Sequence, residues 1–336
     1  MTTVLVTGYG GFLGAAVSRQ LLSAGFSVRG LARGDYPQLQ AEGVECIRGD
    51  VTDEDTIAAA TEGIDAIVHT AAKAGVWGNW SDYYSINTAA TESLLNAAKR
   101  NAIGAFVQTS SPSVTFGGEH QSGVDESAGY PSLWLCHYPH TKALAEKAVL
   151  DSASNQLRTC ALRPHLIWGL GDPHLFPRVI QRAQAGRLRR VGNGQNLIDT
   201  VHVDVAAQAH VSAVTRLLDG DEAVNGEAFF LSDGQPLACW AWISQILDCA
   251  GVPVPEKGIS FKAAYRIGRV LEVAYGAMGK KSEPPMTRFV AAQLALDHYF
   301  SIEKARRLLA FDPQVDRDAV MQTCKPWLQS LAAKAR

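Results

Sequence analysis

A glycine-rich segment lies between a short apolar run and a helical pattern at the start of the chain. Residues 4–6 are apolar and predict a β-strand, and residues 12–24 have the spacing of a helix. Between these stretches, Gly8, Gly11 and Gly14 fall at intervals of three residues. Glycines at such a junction allow a tight turn and let the helix pack closely on the strand. The chain is therefore predicted to open with a strand, a turn and a helix.

The same alternation of strand and helix patterns continues through the first half of the chain. Strands are predicted at residues 27–31, 44–47, 66–69 and 105–108, and helices near 54–61 and 83–101. Strands that alternate with helices form a parallel sheet covered on both faces, because each parallel connection crosses over the sheet. We predict a doubly wound α/β fold of the Rossmann type, which binds ligands at the carboxyl ends of its strands.

The charge balance and the cysteines exclude several classes of protein. The 336 residues include 31 lysines and arginines and 33 aspartates and glutamates, so the formal net charge is −2 and no nucleic-acid partner is expected. No stretch of about 18 residues is apolar enough to span a bilayer, and the N-terminus lacks the pattern of a secretory signal, so we expect a cytoplasmic protein. The cysteines have the spacing of neither a metal site nor a disulfide framework, and no metal is predicted: Cys46, Cys136, Cys160, Cys239, Cys249 and Cys324.

The glycine segment also has the chemistry of a phosphate site. Glycines let the backbone approach a pyrophosphate closely, and the N-terminus of the following helix favours its negative charge. A plain turn is the alternative interpretation of three glycines taken alone. In this context the segment predicts a nicotinamide dinucleotide, NAD or NADP, held by Gly8, Tyr9, Gly11, Phe12 and Leu13.

The end of the second predicted strand distinguishes the two cofactors. A carboxylate there accepts a hydrogen bond from the ribose 2′-hydroxyl of NAD, whereas an arginine pairs with the 2′-phosphate of NADP. Arg33 stands near this position, and the first carboxylate after it is Asp35. We therefore predict NADP, with NAD as the less favoured cofactor. Asp50 and Val51, after the third strand, are predicted to lie at the height of the adenine ring.

A tyrosine and a lysine four residues apart indicate the chemistry. Tyr138 and Lys142 lie on one face of a predicted helix. A free phenol has a pKa near 10, and a neighbouring cation lowers it toward the range of a useful acid or base. The hydroxyl of Ser111, at the end of the fifth predicted strand, can hold a substrate carbonyl oxygen, with Ser110 as the alternative.

Beyond about residue 165 the alternation becomes less regular, because turn clusters and prolines interrupt the chain. We predict that residues 1–165 form the NADP-binding domain and that segments near 195–232 return to it. Residues 166–336 are predicted to form mainly a smaller substrate-binding lobe.

A helical pattern at residues 261–278 has two interpretations. Ala264, Ile267, Leu271 and Ala274 form an apolar stripe, with lysine and arginine residues nearby. The spacing favours an amphipathic helix that faces the core, and a peripheral membrane contact is the alternative.

These motifs resemble the extended short-chain dehydrogenase/reductases, which include NAD-dependent epimerases, dehydratases and 3β-hydroxysteroid dehydrogenases. The resemblance covers nearly the whole chain. It implies that Ser111 orients a carbonyl, that Tyr138 donates a proton, and that Lys142 binds the nicotinamide ribose and tunes Tyr138. Asn87 is implied to help position the active-site helix and Lys142. Further cofactor contacts are implied at Thr70, Ala71, Ala72, Lys73 and Pro164.

A closer resemblance is to the 2-alkyl-3-oxoalkanoate reductases of bacterial long-chain olefin biosynthesis. It implies NADPH-dependent reduction of a 3-oxo acid with two long alkyl chains to the 3-hydroxy acid. A β-lactone synthetase and a decarboxylase, which act next in these pathways, are implied as partners beside a second copy of the chain. The resemblance rests on residues 33–37, 71–78, 111–114, 162–169 and 185–189.

Several alternatives stay open. A 3β-hydroxysteroid or other hydroxyl dehydrogenase would need a similar apolar pocket, and a sugar-nucleotide epimerase or dehydratase is a third possibility. An NADP-binding sensor is the alternative outside enzymes, although a sensor has no chemical need of Ser111, Tyr138 and Lys142. Arg163 and Arg187 are candidates for binding a substrate carboxylate, but for Arg163 a structural role that braces the backbone is favoured. Four tryptophans in predicted loops around the strand ends are either walls of an apolar pocket or packing residues: Trp77, Trp80, Trp134 and Trp168.

Overall fold

The computed structural model describes residues 1–334. Its first half contains the predicted alternation, with boundaries close to the predicted ones. A π-helical turn at Ser85–Ala89 and a 3₁₀ turn at Pro112–Thr115 interrupt it. The strands and helices of this half are β1 (Thr3–Thr7), α1 (Phe12–Ser23), β2 (Ser27–Ala32), α2 (Pro37–Ala41), β3 (Glu45–Arg48), α3 (Glu54–Thr61), β4 (Ala66–His69), α4 (Trp80–Tyr84), α5 (Ala90–Arg100), β5 (Ala105–Thr109), β6 (Gln121–Val124) and α6 (His137–Asp151).

The second half has longer helices separated by short strands. Its elements are β7 (Arg158–Pro164), β8 (Ile167–Trp168), α7 (Leu175–Gln184), β9 (Arg190–Val191), β10 (Leu197–Ile198), β11 (Val201–His202), α8 (Val203–Leu218), β12 (Glu227–Leu231), β13 (Leu237–Ala238), α9 (Cys239–Ala250), β14 (Gly258–Ile259), α10 (Phe261–Ala277), α11 (Arg288–Gln293), β15 (His298–Phe300), α12 (Glu303–Leu309) and α13 (Arg317–Lys334).

Within residues 1–334, seven strands form one sheet in the order β12-β7-β5-β4-β1-β2-β3. Every neighbouring pair in this sheet is parallel. The predicted doubly wound Rossmann fold is therefore confirmed. The strand order reverses beside β1, which lies between β2 and β4, and in such sheets the ligand crevice opens at this point.

Strand β1 lies inside the central sheet, and its side chains are buried on both faces of that sheet. Val4 and Val6 pack into one apolar cluster with residues of α1 and α8. Leu5 points to the opposite face and packs into a second cluster with residues of α3 and α5. A strand buried on both faces is a continuous apolar run rather than an alternating one, as residues 4–6 are.

Part of the second half lies against the central sheet. Strand β12 is one of its two edge strands and pairs with β7 along its length, and α8 packs on α1. Helices α7, α9 and α13 surround a separate apolar cluster that includes Trp168, Phe176, Trp242 and Leu328.

The sequence pattern does not predict the four-stranded sheet β13-β10-β15-β6. Its strands have only two to four residues, and runs this short carry no periodicity that separates a strand from a loop. Pairing of β15 with β6 brings the C-terminal part of the chain to the edge of the first half. No helix within residues 1–334 has the length and apolar character needed to cross a membrane.

Candidate active site

A cavity of about 1060 Å³ runs along the carboxyl ends of the central strands. The turns after β1, β2 and β3 form one end, and residues of α7, α11 and β15 form the other. All the predicted cofactor and catalytic residues line it except Tyr9 and Asn87. The predicted residues brought together are Gly8, Gly11, Phe12, Leu13, Arg33, Asp50, Val51, Thr70, Ala71, Ala72, Lys73, Ser111, Tyr138, Lys142 and Pro164, together with Ser110.

The glycine segment packs so closely against neighbouring backbone that it leaves no room for side chains. Gly8 has a φ of +71°, and a Cβ there would lie 2.9 Å from the Cα of Ala71. A Cβ on Gly14 would lie 2.2 Å from the carbonyl oxygen of Gly8. Helix α1 begins directly after Gly11 and has no acidic residue in its first turn, so the positive end of its dipole is not neutralised. This segment fits the pyrophosphate of a dinucleotide.

Arg33 lies at the cofactor end of the cavity with its side chain 78% exposed. Its only ion-pair partner among the described residues is Asp50, at 4.0 Å. Asp35 does not line the cavity and instead pairs with Arg48 at 3.3 Å. The guanidinium of Arg33 is therefore available to an anion, and the carboxylate that would favour NAD points elsewhere.

Tyr138 lies in the first turn of α6, next to Pro139, which suits the first turn of a helix. Burial raises the pKa of Tyr138, and the neighbouring Ser111 hydroxyl opposes that rise. The Nζ atom of Lys142 donates a hydrogen bond to the carbonyl oxygen of Thr109 at 2.5 Å. The sequence predicted that Lys142 lowers the pKa of Tyr138. In this structure the pKa is raised instead, because burial has the largest effect on it and the Lys142 ammonium is hydrogen-bonded to the backbone.

Ser110 and Ser111 both line the cavity, but their hydroxyls differ in environment. The Ser111 Oγ atom lies 2.8 Å from the Oγ atom of Ser113, and the Ser111 hydroxyl acts to lower the pKa of the Tyr138 phenol. The Ser110 Oγ atom is buried with no hydrogen-bond partner among residues 1–334. The environment of Ser111 is the better one for a group that acts together with Tyr138.

A buried ion pair supports the helix that carries Tyr138 and Lys142. The Nη2 atom of Arg163 on β7 lies 2.6 Å from Oε1 of Glu146 on α6, and its Nε atom lies 3.0 Å from Oε2. Tyr130 donates a further hydrogen bond to this carboxylate at 2.9 Å. Burial lowers the pKa of Lys142 to about 8, and Glu146, one turn away, opposes this shift. Arg163 is therefore a structural residue, the favoured of its two interpretations, although it braces helix α6 through Glu146 rather than the backbone; it does not line the cavity where a substrate carboxylate would bind.

Asn87 connects the cofactor side of the cavity to helix α6. Its Oδ1 atom accepts a hydrogen bond from the backbone N–H of Lys73 at 2.7 Å. Its Nδ2 atom donates to the Lys73 carbonyl and to Oγ1 of Thr141, both at 3.1 Å. Asn87 thus lies between the segment after β4 and the helix that carries Lys142. Tyr9 is buried, and its ring packs edge-on against Tyr36 at 5.2 Å rather than facing the cavity.

Comparison with known proteins assigns the family. The model of the 3-beta hydroxysteroid dehydrogenase/isomerase family matches residues 5–262. The chain belongs to this family. It is 43% identical to the 2-alkyl-3-oxoalkanoate reductase of Stenotrophomonas maltophilia over 325 residues, which cover 96% of this chain and 98% of the relative. It is 42% identical to the 2-alkyl-3-oxoalkanoate reductase of Shewanella oneidensis over 327 residues, with coverage of 95% and 84%.

Solved structures show the same fold in sugar-nucleotide enzymes. The UDP-glucuronic acid 4-epimerase of Bacillus cereus in complex with NAD has a TM-score of 0.74 to this chain at 20% identity, and the match covers 98% of this chain and 99% of that one. The chain is thus an NAD(P)-dependent oxidoreductase of the extended short-chain dehydrogenase/reductase type, as the motifs predicted.

Several suggested site residues lie away from the cavity of this family member. Trp77, Trp80, Trp134 and Trp168 do not line it, so of their two interpretations, pocket wall and packing, the pocket wall is wrong. Trp168 is fully buried in the apolar cluster between α7 and α9 and donates a hydrogen bond to Asp233 at 2.9 Å. Arg187 does not line the cavity either.

The substrate end of the cavity is formed largely by residues that the motifs did not single out. His165 and His298 lie 133 positions apart in sequence, and their ring nitrogens are 2.6 Å apart. Burial lowers the pKa of His165 well below its usual range, and that of His298 to about 4, so both rings are neutral at pH 7. The other residues of this group are Phe116, Gln121, Leu175, Arg178, Phe289, Gln293 and Phe300. His165 lies within the 162–169 segment and Phe116 lies two residues after the 111–114 segment, but no local signal assigns any residue of this group to the substrate end.

Proposed function

We propose that this enzyme uses NADPH to reduce a 2-alkyl-3-oxoalkanoic acid to the 2-alkyl-3-hydroxyalkanoic acid. The observation that carries the proposal is one continuous cavity lined by Ser111, Tyr138 and Lys142 and by apolar and cationic groups beyond them. The names of the two relatives support the same substrate class. The apolar wall is suited to alkyl chains: Phe116, Leu166, Ile167, Leu175, Phe289 and Phe300.

The same end of the cavity carries a cation suited to a carboxylate. Arg178 lines the wall and shares the carboxylate of Glu283 with Arg182. Two guanidinium groups on one carboxylate leave a net positive charge. Arg178, rather than Arg163 or Arg187, is thus the arginine that we assign to the substrate acid.

The proposed mechanism is a hydride transfer coupled to a proton transfer. When bound, the nicotinamide ring supplies the hydride that reduces the C3 carbonyl carbon. The Ser111 hydroxyl donates a hydrogen bond to the carbonyl oxygen and holds it beside Tyr138. The Tyr138 phenol then gives its proton to this oxygen, which becomes the 3-hydroxyl. Because burial raises the pKa of Tyr138, the phenol is protonated at neutral pH, as a proton donor must be. Lys142 would bind the nicotinamide ribose beside it.

A panel of substrates tests the proposal. A 3-oxo acid loses carbon dioxide readily, so the assay is better run with NADP and the stable 2-alkyl-3-hydroxy acid, following absorbance of the reduced cofactor. Each buried methylene contributes about 0.8 kcal/mol, so kcat/KM is expected to rise about fourfold per methylene until the apolar end is full. UDP-sugars are expected to show no turnover, because their charged diphosphate does not match the apolar side chains that line the substrate end.

A 3β-hydroxysteroid dehydrogenase is the second candidate, favoured by the family model that matches residues 5–262. Steroid substrates therefore belong in the same panel, with either cofactor. Turnover of a 3β-hydroxysteroid without turnover of the branched hydroxy acid would establish this second candidate and reject the first.

The cofactor preference is tested at Arg33. The wild-type enzyme is expected to bind NADPH more tightly than NADH, and Arg33→Ala to lose about 1.5–3 kcal/mol of that preference, the range for a hydrogen bond to a charged group. Fluorescence titration of both cofactors measures it. Arg307→Ala is the matched control, because Arg307 is an exposed arginine that does not line the cavity. Equal dissociation constants of wild-type enzyme for NADPH and NADH would contradict the proposal.

A further inference from the structure

Helix α10 exposes an apolar surface to solvent. Val270 and Val273 are 66% and 68% exposed, and Ile267 and Met278 are 46% and 56% exposed. At 100° per residue, Ile267, Val270 and Val273 lie within one third of the helix circumference. Exposed apolar side chains that are scattered singly need no explanation, but a contiguous patch marks an interaction surface. We call these four residues the α10 patch.

Basic residues border the α10 patch. Residues 261–281 contain five lysines and arginines and a single acidic residue, although the whole chain has a net charge of −2. Among residues 1–334, none of the five forms an ion pair: Lys262, Arg266, Arg269, Lys280 and Lys281. The acidic residue, Glu272, pairs with Arg288 at 2.6 Å. The outer surface of α10 is therefore both apolar and positively charged.

The opposite face of α10 packs against the start of α11, which forms part of the cavity wall. Ala264 and Gly268 are its buried positions, and a Cβ on Gly268 would lie 2.6 Å from the carbonyl carbon of Thr287, so α10 and the start of α11 are in close contact. Helix α11 supplies Phe289 and Gln293 to the cavity. The expectation that the helix faces the core is thus met only by this inner face, while Ile267, assigned to the core-facing stripe, is exposed.

The last turn of α10 and the residues just after it contact Trp77, in the segment that follows β4. The Nε1 atom of Trp77 donates a hydrogen bond to the carbonyl oxygen of Lys280 at 2.9 Å, and its ring packs edge-on against Tyr275. Trp77 follows directly after Val76, which lines the cavity. Helix α10 therefore joins two walls of the cavity while its outer face stays free.

We propose that the α10 patch binds the surface of a bilayer that contains anionic lipids. Amphipathic helices that lie in the lipid interface combine a strip of apolar residues with lysine and arginine, and each basic residue near an anionic surface contributes about 1 kcal/mol. Charge complementarity favours this occupant over a second copy of the chain, because two α10 surfaces facing each other would bring ten cations together. Binding in this position would hold the cavity wall formed by α11 close to the lipid surface.

Vesicle cosedimentation of the full chain tests the proposal. The wild-type protein is expected to bind vesicles that contain phosphatidylglycerol, to bind pure phosphatidylcholine vesicles at least tenfold less, and to dissociate at high salt. Val270→Ser combined with Val273→Ser is expected to reduce binding at least tenfold. Leu133→Ser combined with Leu170→Ser is the matched control, because these leucines are 77% and 55% exposed outside the α10 patch.

Charge is tested in the same way. Arg266→Ser combined with Arg269→Ser is expected to weaken binding by about 30-fold, the equivalent of two basic residues at about 1 kcal/mol each. Arg100→Ser combined with Arg307→Ser makes the same change of net charge at exposed positions elsewhere and is expected to have little effect. NADPH affinity should stay unchanged in all four variants, because none of these residues lines the cavity.

Three results would overturn the proposal. The first is wild-type protein that does not bind anionic vesicles, and the second is a valine variant that binds them as the wild type does. The third is a wild-type dimer that the valine substitutions convert to monomer in sedimentation velocity, since the α10 patch would then be an interface between copies of the chain.

Discussion

Tyr138→Phe is expected to lower turnover by about 10²–10⁴-fold while NADPH affinity stays close to that of the wild type. The substitution removes the phenol proton and leaves the ring that lines the cavity in place. Steady-state oxidation of the branched hydroxy acid measures turnover, and fluorescence titration measures cofactor affinity. If the protein bound NADPH only as a sensor, the substitution would leave every function intact.

Tyr84→Phe is the matched control for this experiment. Tyr84 is 36% exposed on α4 and does not line the cavity, so its loss of a hydroxyl should leave turnover unchanged. Turnover of Tyr138→Phe within a few-fold of wild type would reject the proton-donor role. The fold and the family assignment would be unaffected by that outcome.

Arg163→Met is expected to destabilise the protein by about 3–5 kcal/mol, because it leaves a buried carboxylate without its partner. The Glu146 side chain is fully buried and that of Arg163 is only 4% exposed. The Arg163 guanidinium also lies 4.9 Å from the ring centroid of Phe230. Urea unfolding of the two proteins gives the difference in free energy of unfolding.

The same strand provides a matched control for this prediction. Arg158 is the first residue of β7 and pairs with Glu222 at 2.9 Å, but the Glu222 side chain is 58% exposed. Arg158→Met is therefore expected to cost less than about 1 kcal/mol, as exposed ion pairs do. A similar loss of free energy of unfolding in both variants would contradict the prediction that burial makes the Arg163–Glu146 pair the more costly one to break.

Local patterns in the sequence were sufficient to predict the Rossmann fold. Strands buried on both faces are apolar runs, helices between them carry a 3.6-residue period, and glycines mark the turn after β1. All three signals are confined to a few neighbouring residues. The motifs around Gly8, Ser111 and Tyr138 are equally local, and each follows the end of a strand or begins a helix. Because parallel strands bring their carboxyl ends to one edge of the sheet, these separate motifs meet in one cavity.

The substrate end of the cavity was decided only by the tertiary structure. His165 meets His298 across 133 positions, and Arg178 meets Glu283 across 105 positions. The strands that bring the C-terminal half to this edge have only two to four residues, too few for any periodicity. The four tryptophans illustrate the same limit, since their positions in predicted loops were compatible with a pocket wall and tertiary packing placed them elsewhere. The sequence determined the fold and the motif residues that meet in the cavity because those depend on short-range patterns, whereas the substrate wall depends on long-range contacts that no local pattern records.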